Sequence, residues 1–148
     1  MSKYQNILVA LDLKPEDDDV VSEQAFRIAE TSGATVSFVH VVEPIFNYGL
    51  PPGADNKYDQ WESELEEGAK MQMSKLGEKC SIPTFRQYVR VGQVKRELLQ
   101  TAERVRADLI VVGTHCRHGL TSLFFGNTAD DVVNDAKCDV LAIHINKG

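Results

Sequence analysis

Residues 107–136 read ADLIVVGTHCRHGLTSLFFGNTADDVVNDA, and their order decides the fold. The apolar run 107–112 reads as a buried strand. A loop bounded by Gly113 and Gly126 follows it, after which Ala129, Val132, Val133 and Ala136 recur at helical spacing. A strand, a glycine-bounded loop and a helix in that order are a common way to hold a phosphate. Glycine lets backbone N–H groups approach an anion closely. The helix N-terminus adds unpaired N–H groups and a partial positive charge. Asn127 is a candidate N-cap, and Thr114, Ser122 and Thr128 carry hydroxyls that can donate. Asp130 and Asp131 complement the helix dipole but offset the positive potential that a triphosphate needs, with Arg117 and His118 opposing them. The plainer reading of the same stretch is a surface loop with a capped helix.

The same alternation extends outward in both directions. NILVALDL reads as a buried strand over 4–11 that closes on Asp12. KPEDDD then turns into a helix whose aspartates cap it and complement its dipole. Val21, Ala25, Ile28 and Ala29 share one face of that helix, and Gly33 is a stop. A second strand covers 34–42. The stretch EPIFNYGLPPGADN carries three prolines and two glycines and reads as a loop long enough to suspect a functional role. Trp61, Leu65, Ala69, Met73, Leu76 and Cys80 mark the buried face of one helix, with Glu62, Glu64, Glu66 and Glu67 on its wet side. A third strand at 85–91, a helix through Val94, Leu98, Ala102 and Val105, and a fifth strand at 138–145 complete the series. Apolar strands joined by helical crossovers predict an α/β fold, an open parallel sheet with helices on both faces. Ligands of such sheets bind beyond the carboxyl ends of the strands, where strand order reverses. Asp12, the 43–57 loop, Gly92 and the 113–126 loop all fall there.

Composition narrows the function classes. A chain of 148 residues predicts one domain, spanning 1–148. A net charge of −6 argues against a general nucleic-acid binder, which needs a basic surface. No apolar run approaches the roughly 20 residues that span a bilayer. The first residues, MSKYQNILVALDL, alternate like a strand and lack a cleavage motif, so a cytoplasmic protein is expected. Cys80, Cys116 and Cys138 are odd in number and far apart, which argues against a disulfide framework. His115, Cys116 and His118 are potential metal ligands, but they crowd one short loop without a distant partner. His40 and His144 lie in apolar strands and read as satisfied core or interface histidines. No general base for attacking water is evident, so slow ATP hydrolysis is the weakest reading.

Taken together, these segments resemble the universal stress protein (UspA-like) family. The ATP-binding members of that family carry G-x-x-G, nine residues, then G-[S/T]. The same frame here is Gly113, Thr114, His115, Cys116, nine residues, Gly126, Asn127. NILVALDL, VSFVHVVE, VRVGQVKRELLQTA and CDVLAI match in order along essentially the whole chain, with Val94 where the family usually has proline. The resemblance implies a five-stranded sheet in order 3-2-1-4-5 and a homodimer through the C-terminal strand. It also implies a stress-response protein that binds ATP, ADP or AMP with magnesium as a regulatory ligand. Asp12 would then lie near the ribose and the nucleotide-bound Mg, and the Val41 backbone would meet adenine. Gly113, Thr114, Cys116, Gly126, Asn127 and Thr128 would surround the ribose and phosphates. Cys116 stands in place of the second glycine and Asn127 in place of the hydroxyl residue. The rival reading is a dimeric interaction protein of the same fold that has lost nucleotide.

Overall fold

The central strand β1, Asn6–Ala10, is buried on both faces because its residues alternate between two apolar layers. Ile7 and Val9 join Val36, Phe38, Leu109 and Val111 on one side of the sheet. Leu8 joins Val39, Val41, Ile110 and Val112 on the other. Burying Ile7, Leu8 and Val9, each at most 1% exposed, contributes about 1.5–3 kcal/mol per side chain. A computed structural model gives these positions and describes residues 4–44, 55–114 and 132–145.

The remaining elements follow in chain order. They are α1 (Pro15–Ser32), β2 (Thr35–Val42), α2 (Asp55–Cys80), β3 (Gln87–Val91), α3 (Val94–Val105), β4 (Leu109–Thr114) and β5 (Asp139–His144), with a 3-10 turn at Thr84–Arg86 before β3. All neighbouring strands are parallel. Their order is β3-β2-β1-β4-β5, as expected. Helices α1 and α2 cover the Ile7 face, where Val21, Ala25 and Met73 complete the layer. Helix α3 and Val132 cover the Leu8 face through Leu98 and Ala102. Phe26 of α1 meets Phe38 of β2 edge-on, with ring centroids 6.2 Å apart.

Local signals account for most boundaries. Pro15 opens α1 and Gly33, at φ 75°, closes it. Val94 is the first residue of α3, the position that tolerates proline because its N–H has no helical partner.

Three expectations need correction. The aspartates do not cap α1: Lys14 occupies the cap without a side-chain bond, and Asp17 and Asp18 are buried. Trp61 and Leu65 do not lie on a buried face, being 45% and 50% exposed. Helix α2 has 26 residues and β2 has 8, so at roughly 1.5 and 3.3 Å per residue the helix overhangs the strand it covers. Strand β1 is also shorter than expected and ends before Leu11 and Asp12.

Candidate functional site

At the carboxyl end of the sheet, β1 and β2 part after one last ladder bond. Leu11 N–H donates to Val39 C=O at 2.8 Å. The next rung in a parallel ladder would run from Val41 N–H to Leu11 C=O. His40 takes that carbonyl instead, with Nδ1 at 2.7 Å from it. On the far side of β2, Gly92 N–H reaches Val42 C=O at 3.0 Å. The N–H and C=O of Val41 therefore point toward β1, by alternation. Among the described residues neither makes a hydrogen bond, although Val41 is only 7% exposed. A buried backbone group left unpaired costs about 1–3 kcal/mol, and among the described residues nothing pairs with this donor and acceptor.

Asp12 stands beside that edge. The chain turns there through Leu13, at φ 63°. Asp12 Oδ1 accepts Lys14 N–H at 3.0 Å. Its Oδ2 is buried and meets no N–H or hydroxyl donor among the described residues. Asp18, from the first turn of α1, faces it. Burial pushes the Asp18 carboxyl up to about 8, and the charge of Asp12 and a hydrogen bond to it push the same way, while the Asp12 and Leu13 backbone pulls down. Asp18 thus keeps its proton at neutral pH. Burial lowers His40 below the ordinary histidine value, against the Leu11 carbonyl and the Asp12 charge, which raise it. A carbonyl can only accept, so the neutral ring carries its hydrogen on Nδ1.

Gly113 and Thr114 are the last two residues of β4. Gly113 is buried, and a Cβ there would lie 2.5 Å from Ile145 Cδ1 and 3.0 Å from Val21 Cγ2. Close packing is thus one reason for this glycine. Thr114 C=O accepts Ile145 N–H at 2.8 Å. Cys116, Gly126, Asn127 and Thr128 lie outside the described residues, as do His115 and His118. At the end of β3, buried Glu97 accepts from Arg90 at 3.3 Å and pairs with Arg96 at 3.6 Å. Burial pushes the Cys80 and Cys138 thiols above their usual value. Neither is therefore a thiolate nucleophile at neutral pH.

The profile described as the universal stress protein family matches residues 3–144. This chain belongs to the universal stress protein family. It is 38% identical over 145 residues to universal stress protein A homolog 2 of Coxiella burnetii (strain RSA 493 / Nine Mile phase I), covering 98% of each chain. Among solved structures, universal stress protein UspA from Lactobacillus plantarum superposes with a TM-score of 0.77 at 22% identity, over 97% of this chain and 99% of that one. A universal stress protein solved in complex with cAMP matches with a TM-score of 0.58 at 22% identity, over 98% of this chain and 100% of that one.

In this universal stress protein, Asp12, Val41, Gly113 and Thr114 come from the ends of three adjacent strands, β1, β2 and β4. Sequence reasoning missed Asp18, which it read as helix-dipole decoration; it read His40 as a satisfied core or interface histidine, and the Leu11 carbonyl is what satisfies the ring. The one signal for His40 was a polar ring beside the last residues of an apolar strand. Among the described residues no three His, Cys, Asp or Glu side chains are grouped to hold a metal. No described helix is long and apolar enough to cross a membrane.

Proposed function

We propose that this universal stress protein is a cytoplasmic stress-response protein that binds an adenine nucleotide, ATP or its ADP and AMP relatives, as a regulatory ligand. The open edge of Val41 carries the reading. One N–H and one C=O, side by side and buried, match the acceptor N1 and donor N6 of adenine, and no described group answers them. Asp12, whose buried Oδ2 meets no N–H or hydroxyl donor among the described residues, stands where a ribose hydroxyl would donate. The same carboxylate would face a magnesium ion arriving on the phosphates, since Mg²⁺ is commonly held by one or two carboxylates plus substrate oxygens. Gly113 and Thr114, and beyond them Cys116, Gly126, Asn127 and Thr128, would take the phosphates. The universal stress protein solved in complex with cAMP supports this, because a protein of the same fold takes an adenine nucleotide.

The protein acts as a homodimer in this reading, through β5. That strand lies at the sheet edge, and an uncovered edge is an open template for its own copy. The test of the nucleotide reading is direct. Purified protein is heat-extracted and the extract analysed by mass, and stripped protein is titrated with ATP by calorimetry. Adenine nucleotide in the extract and saturable binding are expected. An empty extract with no binding would leave the interaction-protein reading in its place.

A further inference from the structure

The Leu11 carbonyl is positioned to continue the ladder between β1 and β2, since the Leu11 N–H already bonds Val39 C=O at 2.8 Å. The Val41 N–H is the natural donor for it. The donor present is the His40 ring, which approaches at 2.7 Å. His40 and Val41 are neighbours on one strand, so their side chains project to opposite faces of the sheet. Val41 belongs to the layer under α3, and His40 reaches back over the α1 side to the end of β1. A side-chain bond thus replaces a backbone rung.

We infer that His40 is a positioning residue for the base subsite: by occupying the Leu11 carbonyl it stops β1 from pairing one rung further along β2, and so keeps the Val41 N–H and C=O free for the edge of a purine. The inference rests on the nucleotide reading above, which assigns the open edge to adenine. Without His40, the freed Leu11 carbonyl and the unpaired Val41 N–H would satisfy each other. The base would then compete with a rung of the protein's own ladder.

Two properties of the site suit this role. The His40 ring is half-buried and neutral, so it acts as a fixed donor at Nδ1. Asp12 follows Leu11 directly, so the bond that pins the Leu11 carbonyl also fixes where the Asp12 carboxylate begins. His40 need not touch the ligand to act, because its effect runs through Leu11.

The experiment compares wild type, His40→Phe and His40→Asn in the full chain. Phenylalanine keeps the ring and loses the donor, and asparagine keeps a donor near the Nδ1 position. Three quantities are measured: amide hydrogen exchange at Val41 without nucleotide, ATP affinity by calorimetry, and affinity for inorganic tripolyphosphate, which has no base. In His40→Phe, Val41 exchange should slow and ATP affinity fall, each by roughly tenfold for one hydrogen bond gained or displaced. Tripolyphosphate affinity should stay unchanged, and His40→Asn should recover most of the ATP affinity. Unchanged Val41 exchange in a folded His40→Phe protein overturns the inference, and so does equal weakening of ATP and tripolyphosphate. Equal loss in the Asn and Phe variants overturns it as well. A wild type that binds no ATP overturns the nucleotide reading and the base subsite with it, while the exchange data still report whether His40 blocks the rung.

Discussion

The carboxyl of Asp18 bonds the carboxylate of Asp12, so one of two acids at the end of β1 keeps its proton at neutral pH. Asp18 is 3% exposed, which is why a position that reads as a solvated first turn behaves as an interior acid. An acid whose folded value is raised stabilises the fold fully below its unfolded value and loses that contribution as pH rises through the folded one. Here the loss runs upward from the ordinary aspartate range toward about 8. Asp18→Asn removes the titration while keeping a donor for Asp12. Thermal unfolding at pH 5, 7 and 9 should show wild type losing stability with pH more steeply than the variant. Parallel slopes would mean that Asp18 ionises without strain.

Gly113→Ala should destabilise the protein. Its Cβ would lie 2.5 Å from Ile145 Cδ1 and 3.0 Å from Val21 Cγ2, and overpacking of this kind costs about 1–3 kcal/mol. Adding Ile145→Val deletes the nearer atom and should restore part of the loss. Urea unfolding of the single and double variants measures both. A single variant as stable as wild type would show that Ile145 moves aside freely.

Ala142→Pro tests the proposed dimer edge. Ile145 N–H bonds Thr114 C=O, so odd-numbered residues of β5 face β4 and Ala142 faces outward. Proline there removes an N–H from the free edge and none from the β4 ladder. A folded monomer is expected by light scattering, with the far-ultraviolet circular dichroism of wild type. A persisting dimer would place the interface elsewhere.

Asp12→Ala should weaken ATP binding chiefly when magnesium is present. The variant loses one exposed turn bond, Oδ1 to Lys14 N–H, and the bond from the Asp18 carboxyl, so circular dichroism first checks that it is folded. Calorimetry with magnesium and with EDTA separates the effects. If the ion changes nothing in wild type, Asp12 does not meet a metal.

The strands were legible because Ile7, Leu8 and Val9 are apolar without interruption, as only a strand covered on both faces requires. Helix α3 was legible to its ends, with Leu98 and Ala102 spaced to face the sheet. The start of α2 at Asp55 was not, because ADNKYDQ has no apolar periodicity to mark it. The end of α3 was marked by its last apolar residue, Val105, and not by a glycine, since Arg106 takes the left-handed position at φ 56°. Asp12, Val41, Gly113 and Thr114 could be named from the resemblance. The bond between His40 and Leu11 could not, because it depends on where two strands stop pairing. The burial of Asp18 depends likewise on how α1 meets the turn at Leu13.

The place of β1 between β2 and β4 sets a clock on biosynthesis. β1 and β2 are close in sequence and can pair early, but Asn6 N–H bonds an Asp108 carboxylate oxygen 102 residues away. At the usual 5–20 residues per second, roughly 5–20 s pass between synthesis of the two partners. Throughout that interval β1, apolar from Ile7 to Ala10, has one side unpaired. Protein made in a cell short of chaperones should therefore be lost before its fourth strand leaves the ribosome, not after.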